Sequence, residues 1–134
     1  MRALTYALLL GLMLVARGST AADGDLLVIC HPSVSLQADE IRDVYFGDKA
    51  FAGSVKLLPA ENSSAQPVFL EKVMKLDAKK YASLWIKKAF RDGSAPPAVK
   101  ATDPEAIAYV KQTPGACSYV TSTPGDGVTV VGKY

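Results

Sequence analysis

One histidine, one tryptophan and two cysteines are all that this chain of 134 residues holds of those types. With His31 alone there is no histidine cluster to hold a metal and no second base to pair with it. It follows an apolar run and precedes Pro32, a place where a lone histidine is a surface or hinge residue. No serine stands in a Gly-x-Ser-x-Gly elbow, so the nucleophile turn of the α/β-hydrolases is missing too. Asp39, Glu40 and Asp43 fall on the outward side of a short helix, as solubility alone requires. These absences argue against an enzyme and imply no metal and no cofactor. Past residue 22 no segment is apolar enough to cross a bilayer, which takes about 20 residues. Internal repeats and low-complexity tracts are lacking.

What is present begins with a leader. Arg2 supplies a positive charge, Ala3 to Ala16 form an apolar run, and Arg17 to Ala22 bring small residues ending in Ala21 and Ala22. The run is too short for a membrane anchor and stops at Arg17. Cys30, the first cysteine, lies too far along to mark a lipoprotein cleavage point. Residues 1–22 therefore read as a signal peptide cleaved after Ala21 or Ala22. Residues 23–134 remain as one periplasmic or secreted domain.

Removing the leader changes the charge that matters. Arg2 and Arg17 leave with it, so 15 Lys and Arg become 13, set against 13 Asp and Glu. The net charge of about zero argues against general binding of nucleic acid or anionic membrane. Two thiols in an exported chain pair more often than they stay free, so a Cys30–Cys117 bridge is expected. The other reading is two buried apolar cysteines.

Strands and helices alternate along the rest. Leu26 to Cys30 reads as a buried strand and Ala38 to Phe46 as a short helix ended by Gly47. Val55 to Pro59 is a second strand. Helices follow over Ala65 to Leu76 and, with Asp77 as N-cap, over Ala78 to Phe90. On the latter, Lys79, Lys80, Lys87 and Lys88 mostly fall off the apolar stripe, as on a solvated face. Thr102-Asp103-Pro104-Glu105 opens another helix that runs to Gln112. Ala116 to Thr121 and Val128 to Val131 are further strands. The pattern is that of an α/β domain with a short mixed sheet flanked by helices.

Between the second strand and the next helix stands Glu61-Asn62-Ser63-Ser64. A helix start presents unpaired N–H groups, and hydroxyls there either cap the helix or donate to an anion. Local pattern alone favours the cap, with Ser63 or Ser64 in that place.

The order of segments resembles the substrate-binding proteins of phosphate ABC transporters, which have the type 2 periplasmic-binding-protein fold, and especially their short single-lobe relatives. Val28-Ile29-Cys30-His31-Pro32-Ser33-Val34 is similar to that family's apolar strand ending in Asn-Pro. Asp43-Val44-Tyr45-Phe46-Gly47-Asp48-Lys49 is similar to its Ile-Phe-Leu-Gly-Lys segment. Phe69 to Leu76 and Tyr81 to Phe90, with Trp85, are similar to its paired helices. Pro114-Gly115-Ala116-Cys117-Ser118-Tyr119-Val120 resembles its Pro-Gly-Ala-Ile-Gly-Tyr-Val strand.

The resemblance implies a single lobe of that fold and a place for phosphate. Counting back from Phe69 sets Glu61-Asn62-Ser63-Ser64-Ala65 on the family's Asp-Gly-Ser-Gly-Thr turn, so Glu61, Asn62, Ser63 and Ser64 are the implied ligand-binding residues. The serine and the acid are kept in kind, the threonine is Ala65, and Leu58, Pro59 and Ala60 stand where the family has an arginine. If the strands of Cys30 and Cys117 are neighbours, the two side chains can meet. The implied activity is non-catalytic binding of phosphate or a similar oxyanion in ABC-type transport, with a membrane transporter or sensor as partner, and without nucleic acid or membrane insertion. The alternative is an accessory or protein-interaction module built on the same lobe.

Overall fold

The computed structural model describes residues 25–134, so the expected leader lies outside the described residues. Strand β1 (Leu27–Cys30) is stopped at His31-Pro32, and a 3-10 turn over Ala38–Glu40 then feeds α1 (Ile41–Tyr45). Ile41, Val44 and Tyr45 turn inward from α1 at helical spacing. Gly47 ends this unit in the left-handed region, at φ 75°, and the Trp85 ring packs so closely that a Cβ there would lie 2.6 Å from it.

The segment expected to be one strand over Val55–Pro59 is two. Strands β2 (Phe51–Ala52) and β3 (Val55–Lys56) form a small antiparallel ribbon, and β4 (Leu58–Asn62) enters the main sheet. Glu61 and Asn62, expected in a polar break, are the buried end of β4, because each finds polar partners inside the molecule. Helix α2 (Gln66–Phe69) continues as a π turn over Leu70–Met74, which Lys75 ends at φ 59°. The single helix expected to Leu76 thus stops earlier.

Helix α3 (Ala78–Asp92) begins as anticipated at Asp77, whose Oδ1 accepts from the Lys80 N–H at 2.8 Å. Strand β5 (Ala98–Lys100) is absent from the sequence reading because three residues after Pro96-Pro97 carry no periodicity. Thr102 caps α4 (Asp103–Gln112) by accepting from the Glu105 N–H at 3.4 Å. Strands β6 (Ala116–Val120) and β7 (Thr129–Lys133) complete the chain.

The five long-range strands lie in the order β5–β4–β6–β1–β7. β4 runs parallel to β5 and to β6, while β1 is antiparallel to β6 and β7. Every residue of central β6 is buried, so its side chains serve both faces. Cys117 and Tyr119 join Val28 and Cys30 under α1, α2 and α3; Ala116 and Val120 join Ile29 under α4, with its Ala106 and Val110. The larger core centres on three rings. Phe69 stacks on Tyr119 with centroids 3.9 Å apart, and Tyr45 meets Phe69 edge-on at 4.7 Å.

Cys30 and Cys117 stand directly opposite one another in the β1–β6 register and are joined by a disulfide, with Cα atoms 4.0 Å apart. The His31 N–H donates to the Ala116 carbonyl at 2.8 Å, which makes the cysteines a non-hydrogen-bonded pair, the closer of the two antiparallel kinds. At the far edge, Leu26 and Tyr134 exchange both backbone hydrogen bonds, at 3.0 and 2.9 Å.

Candidate functional site

The parallel strands β5, β4 and β6 bring their carboxyl ends to one side of the sheet, the side on which open α/β sheets bind ligands. Asn62 ends β4, Lys100 ends β5, and Thr121 follows β6. The turn Ser63–Ser64, the start of α4 and the segment Thr121–Ser122 therefore meet there.

Glu61 does not point to that rim. Its side chain is buried, with Oε1 accepting from the Tyr81 hydroxyl and Oε2 from the Tyr119 hydroxyl. Burial pushes the Glu61 carboxyl above the usual range, and hydrogen bonds from Tyr119, Tyr81 and Gln66 offset part of that rise. Burial likewise raises both tyrosines, and the Glu61 charge adds to it. Glu61 thus ties α3 and β6 to β4. The Tyr45 hydroxyl reinforces the tie by donating to the Ala60 carbonyl at 3.0 Å.

Asn62 is a second tie, and its amide is used to capacity. Nδ2 donates to Asp103 Oδ1 at 2.7 Å and to the Tyr119 carbonyl at 2.9 Å. Oδ1 accepts from the Ser64 hydroxyl at 2.6 Å and from the Ser64 N–H at 3.2 Å. A buried amide has two donors and two acceptor positions, so none is left for a ligand.

Asp103 extends this network across the rim. Its Oδ2 accepts from the N–H and hydroxyl of Thr121, at 3.1 and 3.2 Å, and of Ser122, at 3.0 and 2.7 Å. Partial burial acts to raise the Asp103 carboxyl, but the hydrogen bonds from Ser122, Asn62 and Thr121 outweigh it and hold the group below the usual carboxylate range.

Ser63 and Ser64 are exposed. The Ser63 N–H donates to the Lys100 carbonyl at 2.8 Å, and its hydroxyl has no hydrogen-bond partner among the described residues. Neither serine caps α2; that position belongs to Ala65, which offers no side-chain bond. The four residues marked in the sequence are therefore split: Glu61 and Asn62 brace the turn from within, and Ser63 and Ser64 form its surface.

Nothing in residue type or spacing marks Asp103, Tyr81, Tyr119, Thr121 and Ser122 as site residues. Asp103 reads in sequence as a first-turn helix acid, and only the parallel packing of β4 and β6 reveals its span. His31 makes a local bond, Nδ1 to the Ser33 hydroxyl at 2.8 Å, and the Gly115 N–H donates to that hydroxyl at 3.1 Å. Among the described residues no group of three or more His, Cys, Asp or Glu is placed to hold a metal ion, and no helix is long and apolar enough to cross a membrane.

No protein-family model matches this chain, and no curated protein matches it. Among solved structures it is similar to a protein from Clostridium perfringens described as a phosphate ABC transporter substrate-binding protein with bound phosphate. The TM-score is 0.60 at 15% sequence identity, over 81% of this chain. The likeness is one of fold, that of a periplasmic-binding protein. This chain spans 45% of the neighbour's length, which is a lobe's worth of structure.

Proposed function

We propose that the chain is an exported, non-catalytic solute-binding lobe that takes phosphate or a similar oxyanion at the Ser63–Ser64 turn, in service of an ABC-type transporter or a sensor. The observation that carries this reading is the Ser63 hydroxyl. It is exposed and without a partner among the described residues, on a turn held from below by Asn62 and Asp103, at the carboxyl ends of parallel strands. Glu61 and Asn62 then act by fixing the turn, and Ser63 and Ser64 meet the anion. The neighbour with bound phosphate supports the ligand class, and the Cys30–Cys117 bridge suits an oxidising compartment outside the cytoplasm. With few donors at the turn, binding in the millimolar range is expected for the lobe alone. Titration calorimetry with phosphate and sulfate should give saturable heat, reduced at least several-fold by Ser63→Ala. Absence of heat for either anion at millimolar concentration would remove the proposal.

A further inference from the structure

Helix α3 carries Lys79, Lys80, Lys87, Lys88 and Arg91 against a single acid, Asp92. The charge balance of residues 23–134 hides this local excess. Lys88 is engaged by Asp48 at 2.8 Å and Arg91 by Asp92 at 3.5 Å. Lys79, Lys80 and Lys87 are exposed and have no carboxylate within ion-pair distance among the described residues. Lys80, Ser83, Lys87 and Arg91 follow one another around the turns of the helix and line a shallow groove.

The strip beside these cations is apolar. Ile86 is 57% exposed and Phe90, one turn on, is 89% exposed. Ala82 and Ala89 continue the strip towards Val99 of β5, which is 66% exposed. Single exposed apolar residues are ordinary, but here two large ones stand one turn apart on the outer side of the strongly basic helix, and Val99 of β5 lines the same groove as Ile86.

We propose that α3 docks this domain on an anionic phospholipid surface, with Phe90 and Ile86 entering the boundary between headgroups and acyl chains and Lys79, Lys80 and Lys87 on lipid phosphates. Two features favour lipid over an acidic protein. The basic set is four lysines to one arginine, whereas protein interfaces enrich arginine and deplete lysine. The apolar element is led by Phe90, 89% exposed, which can enter a fluid lipid boundary without a shaped pocket to receive it.

The test is co-sedimentation of the purified chain with phosphatidylcholine vesicles and with vesicles holding about 40% phosphatidylglycerol, near 0.1 M salt. Binding is expected to the anionic vesicles only. Each lysine near such a surface is worth about fivefold in partitioning, so Lys79→Gln, Lys80→Gln and Lys87→Gln together should weaken binding roughly a hundredfold. Phe90→Ser should weaken it about tenfold. Both variants should keep the parent's unfolding midpoint, since every altered side chain is exposed, and Ser63→Ala should leave vesicle binding unchanged. Absence of sedimentation with anionic vesicles would overturn the proposal, as would full binding by the triple variant. Equal binding to soluble polyglutamate with no dependence on Phe90 would do so in favour of an acidic protein. Release by millimolar inorganic phosphate at matched ionic strength would do so in favour of a free anion.

Discussion

Asn62 Nδ2 lies 2.7 Å from Asp103 Oδ1, joining the end of β4 to the start of α4 across 41 residues of chain. Because Asn62 also holds Ser64 and the Tyr119 carbonyl, this contact is where the turn is fastened to the sheet.

Asn62→Ala should therefore destabilise the fold by about 2–4 kcal/mol, since it strips partners from several buried or half-buried polar groups. Asn62→Asp should do more harm at neutral pH than near pH 4, because it sets a second carboxylate against Asp103. Urea midpoints at the two pH values measure both effects. An Asn62→Asp variant with no pH dependence beyond the parent's would break the assigned contact.

Two carboxylates pull stability in opposite directions with pH. Asp103 is held below its ordinary range, so the stability it supplies is complete above about pH 4, its unfolded range, and is lost as pH falls through its lowered folded value. Glu61 is raised, so the folded state binds its proton more tightly than the unfolded state does. Its contribution is complete below about pH 4.3 and is lost as pH rises through the raised folded value. Glu61→Gln removes that proton linkage while keeping one acceptor for the tyrosines. Stability measured from pH 4 to 8 should fall less with rising pH in the variant than in the parent; parallel curves would contradict the assignment.

The Cys30–Cys117 bridge closes a loop with a sequence separation of 87. On the chain-entropy account it contributes about 4–5 kcal/mol, so reduction, or Cys30→Ser with Cys117→Ser, should lower the urea midpoint sharply. Labelling of the denatured, unreduced chain should find no free thiol. Two labelled cysteines would refute the bridge.

Much of the architecture is legible in sequence because it rests on local chemistry. Asp77 and Thr102 cap helices as their residue types and spacing suggest, and Gly47 ends a helix where a left-handed residue is needed. The Cys30–Cys117 bridge is expected from two thiols in an exported chain, but that their strands are direct neighbours is a fact of topology that the sequence leaves open. The site was less readable. Glu61 and Asn62 read as a polar break because polarity near a helix start signals a turn; in the molecule, distant tyrosines and Asp103 supply the bonds that let β4 carry both into the interior. Strand β5 was invisible because its place depends on pairing with β4 rather than on its own three residues. On α3 the lysines are legible as falling off the apolar stripe and read as an ordinary solvated face; the exposed Ile86 and Phe90 beside them become plain only once the core-facing side is known.

The paired ends at Leu26 and Tyr134 have a practical geometric consequence. Leu26 leads into β1 and Tyr134 follows β7, three and four strand spacings from β5, or about 14 and 19 Å. A carrier, tag or neighbouring unit joined beyond Leu26 or Tyr134 is thus anchored on the side of the sheet away from Val99. The two ends act as a single tether point, and the lobe can be hung from it with its β5 edge presented outward.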